Sequence, residues 1–122
     1  MNHQKIVFSL LIALLAFSSC YYDVEEEIYP TTECETTGVT YSAVVLPIID
    51  RNCYACHDAA NNFGGITLEG YDLLKRFVDD GSLLGGIRHE SGFSPMPKNR
   101  AQLLDCEIAK IEAWINEGAL DN

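Results

Sequence analysis

Five cysteines in a chain of 122 residues constrain what it can fold into more than any other feature. They stand at positions 20, 34, 53, 56 and 106, which sorts them into one at the end of an apolar N-terminal run, one close pair and one distant pair. The N-terminal run sets the compartment. Residues 1–20 read MNHQKIVFSLLIALLAFSSC, with Lys5 ahead of an apolar stretch from Ile6 to Phe17. The pattern reads as a secretory signal peptide over 1–19, the stretch being too brief to span a bilayer comfortably as a mature helix. An exported chain sits where disulfides persist, so each cysteine pairing has to be argued on its own. The remaining length holds one small domain at most.

The break before Cys20 resembles the bacterial lipoprotein processing box, with Phe17 where Leu is usual. That resemblance implies lipidation at Cys20, where two or more acyl chains would hold a membrane far better than one. The other readings are a plain secreted protein whose Cys20 is free or removed, and a retained N-terminal helix. Residues 20–37, from CYYDVEEEIYP onward, are acidic and Thr-rich with no period in their apolar positions, so they read as a flexible tether. The cluster Asp23 and Glu25–Glu27 resembles the acidic surface-export signal of Bacteroidetes lipoproteins, and reads equally as a solvated spacer. The expected location is therefore a bacterial membrane, on the periplasmic side or the outer cell surface. With 18 Asp+Glu against 8 Lys+Arg, the formal charge of -10 argues against nucleic acid and against adsorption to an anionic leaflet through charge.

Cys53-Tyr54-Ala55-Cys56-His57 is a C-x-x-C-H run, the attachment signature of haem c. Two residues between the thiols let both reach one edge of a porphyrin from a single helical turn, with His57 placed beneath the iron as proximal ligand. Two rival readings exist. A redox dithiol belongs at the start of a helix after a buried strand, whereas Pro47 and Asp50 break a strand before Cys53. A zinc site needs two more ligands at finger-like spacing, and the chain has no second C-x-x-C.

For the second axial position of such an iron, the candidates are Met96 and His89. Met96 lies between Pro95 and Pro97, which stiffen the loop around one soft sulfur, whereas core filling is the generic use of a methionine. His89 reads better as a solvent-facing group. Methionine ligation would raise the potential relative to a second histidine. Cys34 and Cys106 remain, and a disulfide between them would tie the segment before the first helix to the start of the last, restraining the unfolded chain by about 2–4 kcal/mol. Two isolated thiols are the alternative.

The elements read as helical. Ser42 or Thr40 can cap a first helix through Ala43–Arg51 toward Cys53, with Pro47 permitting a start at Leu46. Residues 61–66 read as a loop, and residues 67–78 as a helix carrying Leu73, Leu74, Phe77 and Val78. A short apolar turn, Ser82-Leu83-Leu84, leads into Gly85 and Gly86. A last helix is expected with Asp105 as N-cap, an apolar face of Ile108, Ile111, Trp114 and Ile115 closing against the first helix, and Gly118 as its stop. No stretch alternates with period two, so the expected fold class is all-α.

The run Val44-x-x-Pro47-Ile48-Ile49-x-x-Asn52-Cys53-x-x-Cys56-His57, followed by Ile66-x-Leu68-x-x-Tyr71, Met96-Pro97 and the Trp114-Ile115-x-x-Gly118-Ala119 ending, resembles the small single-haem class I cytochrome c domains, in particular lipoprotein versions of Bacteroidetes-like bacteria. The resemblance covers roughly residues 34–120. It implies a cytochrome c domain over 38–122, with three to five helices around a covalently bound haem c. It also implies thioether attachment at Cys53 and Cys56, iron held by His57 and Met96, and Ile66, Leu68, Tyr71 and Pro95 as pocket neighbours. The expected function is single-electron transfer without catalysis, between transient redox partners that carry a basic docking face. This chain's lysines after the signal are only Lys75, Lys98 and Lys110. The alternative is a haem-based small-ligand sensor or peroxide-handling protein.

Overall fold

A computed structural model describes residues 34–122 of the chain. The signal peptide over 1–19, Cys20 and most of the acidic tether lie outside the described residues. Among the described residues there are four α-helices and no strand, so the all-α expectation holds at the level of class. No helix among them is long and apolar enough to cross a membrane.

The helical part opens with a single π-helical turn, Tyr41–Val45, capped by Thr40, whose hydroxyl accepts from the Ala43 N–H. Helix α1 then runs Leu46–His57 with Pro47 in its first turn, where a missing N–H costs nothing. Thr40 is thus the cap of the two residues the sequence offered, and the α-helical stretch begins at Leu46. A 3₁₀ turn, Phe63–Gly65, interrupts the loop that follows.

Helix α2 spans Tyr71–Asp79, four residues shorter at its start than the expected 67–78. Gly70 holds φ at +92°, a left-handed conformation that ends the extended approach and blocks continuation of the helix backward. Helix α3 spans Ser82–Ile87 and includes Gly85 and Gly86, which the sequence reading left outside any helix. Packing overrides propensity here: a Cβ on Gly85 would lie 2.4 Å from the Phe93 ring, so only glycine lets that ring close over the helix.

Helix α4 spans Asp105–Asn116, with Leu104 rather than Asp105 in the cap position. Asp105 is already helical, and it is the Glu107 carboxylate that accepts from the Leu104 N–H at 3.3 Å. Gly118 follows at φ +103° and turns the chain out of the helix.

The core is built from Val45, Ile48 and Ile49 of the first segment, Leu74, Leu83 and Ile87 of the middle helices, and Ile111 and Trp114 of α4. Tyr41, Tyr71 and Trp114 form an aromatic trio with ring centroids 5.3 to 6.5 Å apart. The last residues lock over it. The Trp114 indole N–H donates to the Leu120 carbonyl and the Tyr71 hydroxyl to the Ala119 carbonyl, so neither polar tip is buried without a partner. Asn122 then accepts from the N–H groups of Tyr41 and Ser42, closing the C-terminal strap onto the opening π-turn.

Cys34 and Cys106 form a disulfide, with Cα atoms 5.5 Å apart. The expected pairing is therefore present. It fastens the segment ahead of the π-turn to the first turn of α4.

Candidate functional site

The C-x-x-C-H residues occupy the last turns of α1, so Cys53, Cys56 and His57 are displayed from one helix end. Their surroundings differ. Cys53 packs partly against the hydrophobic core, whereas Cys56 is exposed; both thiols are free. Burial pushes the Cys53 thiol up to about 11, and the nearby Glu107 carboxylate and Cys56 push in the same direction. The negative end of the α1 dipole also disfavours a thiolate here. The redox-dithiol alternative needs the opposite end of a helix, where thiolates are stabilised, and the structure does not supply it.

His57 is oriented by a single contact. Its Nδ1 donates to the Ile66 carbonyl at 3.2 Å, because a carbonyl can only accept, and this leaves Nε2 as the basic nitrogen of the neutral ring. The Leu68 N–H donates to the His57 carbonyl at 2.8 Å. The Ile66 carbonyl and the Leu68 N–H therefore brace the end of α1. Tyr71 is drawn instead into the aromatic trio and tied to Ala119.

Met96 lies in a second region. Its N–H donates to the Gly86 carbonyl at 3.0 Å, and its side chain passes 3.7 Å from where a Gly86 Cβ would stand. Pro95 beside it is exposed. His89, at φ +55°, donates from Nε2 to the Met96 carbonyl at 3.0 Å, so it serves the backbone of the Met96 loop.

The iron chemistry expected from the sequence is corrected by these surroundings. Among the described residues, no group of three or more His, Cys, Asp or Glu side chains converges to hold a metal ion. His57 and Met96 offer one ring nitrogen and one thioether, and the chain's own side chains do not complete a coordination sphere around them. The sulfur–sulfur bond of the domain joins Cys34 to Cys106 and involves neither Cys53 nor Cys56. On that finding, several expectations are withdrawn: haem c with its iron, His57/Met96 ligation, electron transfer by a c-type cytochrome, and the alternative of a haem-based sensor or peroxide-handling protein. The zinc reading is withdrawn with them.

One group at the site escaped the sequence reading. In the sequence Glu107 is simply one more acid near the start of the last helix. In the fold its Oε1 accepts from Arg51 at 3.1 Å and from the Asn52 side chain at 3.5 Å, beside Cys53. Fifty-odd residues separate these partners in the chain, so no local spacing could have announced them.

The chain matches no family model, no curated protein and no solved structure.

Proposed function

We propose that this protein is an exported, membrane-tethered binding module. The C-x-x-C-H turn is its functional site, and it meets its protein partners transiently and catalyses no bond change itself. Anchoring is through lipid on Cys20, and the acidic stretch behind it holds the domain off the membrane. On this reading the scaffold is the helix arrangement of the small cytochrome c domains, in which a first helix ends in C-x-x-C-H and a last helix carries Trp114 before Gly118. Cys53, Cys56 and His57 engage a ligand that bonds to soft sulfur donors, with Ile66 and Leu68 bracing the turn that carries them. The negative field of the chain favours a partner with a basic docking face.

The observation that carries the reading is the division of labour among the cysteines. One pair is closed as a brace, while the pair three residues apart on α1 is left open. Peptide mapping without reduction, on the full chain isolated from the membrane fraction of an exporting bacterium, tests it. The expected map shows acylated Cys20, a Cys34–Cys106 link, and Cys53 and Cys56 not linked to each other. A Cys53–Cys56 disulfide, or a mature soluble form without acyl chains, overturns it.

A further inference from the structure

The two site thiols do not share one environment. Cys53 packs against the core and Cys56 faces solvent, although they lie only three residues apart on the same helix. Beside Cys53 stands a group assembled from two helices: Arg51 and Asn52 of α1 hold Glu107 of α4, with 3.1 Å from the Arg51 guanidinium to Oε1 and 3.5 Å from the Asn52 amide to the same oxygen. The Asn52 amide also donates to the Ile48 carbonyl at 2.9 Å, which fixes its direction. Glu107 is itself held, its other oxygen taking the Leu104 N–H. The carboxylate is therefore a fixed negative charge next to one thiol of the pair, and its exposed counter-charge is Arg51.

Building on the binding site proposed above, we propose that the pair engages soft electrophiles in a set order, Cys56 first and Cys53 second, with Glu107 as the positioning residue that holds Cys53 back. Two physical effects act together. The reacting species is the thiolate, and at Cys53 both desolvation and the neighbouring carboxylate oppose it. Access acts in the same sense, because a reagent reaches Cys56 from solvent without displacing core side chains.

N-ethylmaleimide is a suitable probe. The sulfur adds to the alkene, one carbon–sulfur bond replaces the π bond, and the thiol proton ends on the neighbouring carbon with nothing oxidised or released. The full chain in its thiol form, in detergent and with Cys34–Cys106 closed, is labelled at fixed pH, and the adducts are assigned by peptide mass. Cys56 is expected to react faster by on the order of tenfold or more. Glu107→Gln removes the opposing charge and speeds Cys53. Arg51→Ala leaves the carboxylate uncompensated and slows Cys53. Neither variant moves Cys56.

Because the two variants act in opposite directions, simple loosening of the helix contact cannot imitate the result; loosening would speed Cys53 in both. Equal rates, Cys53 reacting first, variants that shift Cys53 the same way, or no labelling at either thiol each overturn the proposal. Failure of the underlying binding-site reading shows separately, as a Cys53–Cys56 link in the isolated protein before any reagent is added.

Discussion

Cys53 is a titratable group placed where its charged form is costly. Its thiol stands at about 11 in the folded chain against 9.0 for an unperturbed cysteine, and burial is the leading cause. The sign follows from proton counting. Between those two values the folded chain keeps a proton that the unfolded chain has lost, so stability falls as pH rises through that window and is unaffected below it. A shift of about two units corresponds to roughly 2–3 kcal/mol at most. Urea unfolding of the parent and of Cys53→Ala at pH 8 and pH 10 isolates the effect from other alkaline titrations. The parent is expected to lose on the order of 1–2 kcal/mol more than the variant over that interval. Equal losses would show that Cys53 is not held in its neutral form by the fold.

Much of the secondary structure was legible because its causes are local. Thr40 caps, Pro47 tolerates a first turn and not an interior, and the 3.6-residue spacing of Ile108, Ile111, Trp114 and Ile115 marks the buried face of α4. Where tertiary contacts decide, the sequence was silent. The sequence marks only a short apolar turn leading to Gly85 and Gly86, yet both lie within α3, one beneath Phe93 and the other beside Met96. The two glycines accordingly differ in what they tolerate. Gly85→Ala puts a Cβ against the Phe93 ring and is expected to destabilise the domain by about 1–3 kcal/mol. A Gly86 Cβ would meet the Ser94 carbonyl at 3.4 Å and Met96 at 3.7 Å, near ordinary contact, and alanine's helix preference offsets the strain by about 0.5–1 kcal/mol. Thermal unfolding of both variants should separate them clearly. Equal effects would mean that Phe93 does not sit over Gly85.

At the scale of the whole molecule, the ends of the described chain are held by two different devices. The strap Ala119–Asn122 fastens onto α2 and the π-turn through hydrogen bonds, and the Cys34–Cys106 disulfide fastens the leading segment to α4 through a covalent bond. That bond closes a sequence separation of 72 residues. Its loss frees the unfolded chain, and Cys34→Ala with Cys106→Ala should lower stability by about 2–4 kcal/mol without changing the helical far-ultraviolet spectrum. A cost near zero would show that the brace restrains nothing the core does not already restrain. The sequence offered Cys34 and Cys106 as the two cysteines outside the close pair and Cys20, with isolated thiols as the alternative, and the structure joins them. The site's electrostatics were not legible in the sequence, because Arg51, Asn52 and Glu107 meet only after α1 and α4 have packed.

This chain divides its cysteines into a closed brace and an open pair, and a non-reducing disulfide map of the protein isolated from cells tests that division. One link is expected, Cys34 to Cys106, with Cys53 and Cys56 not bonded to each other or to the other two. A map showing Cys53 joined to Cys56, or either of them joined to Cys34 or Cys106, would contradict it.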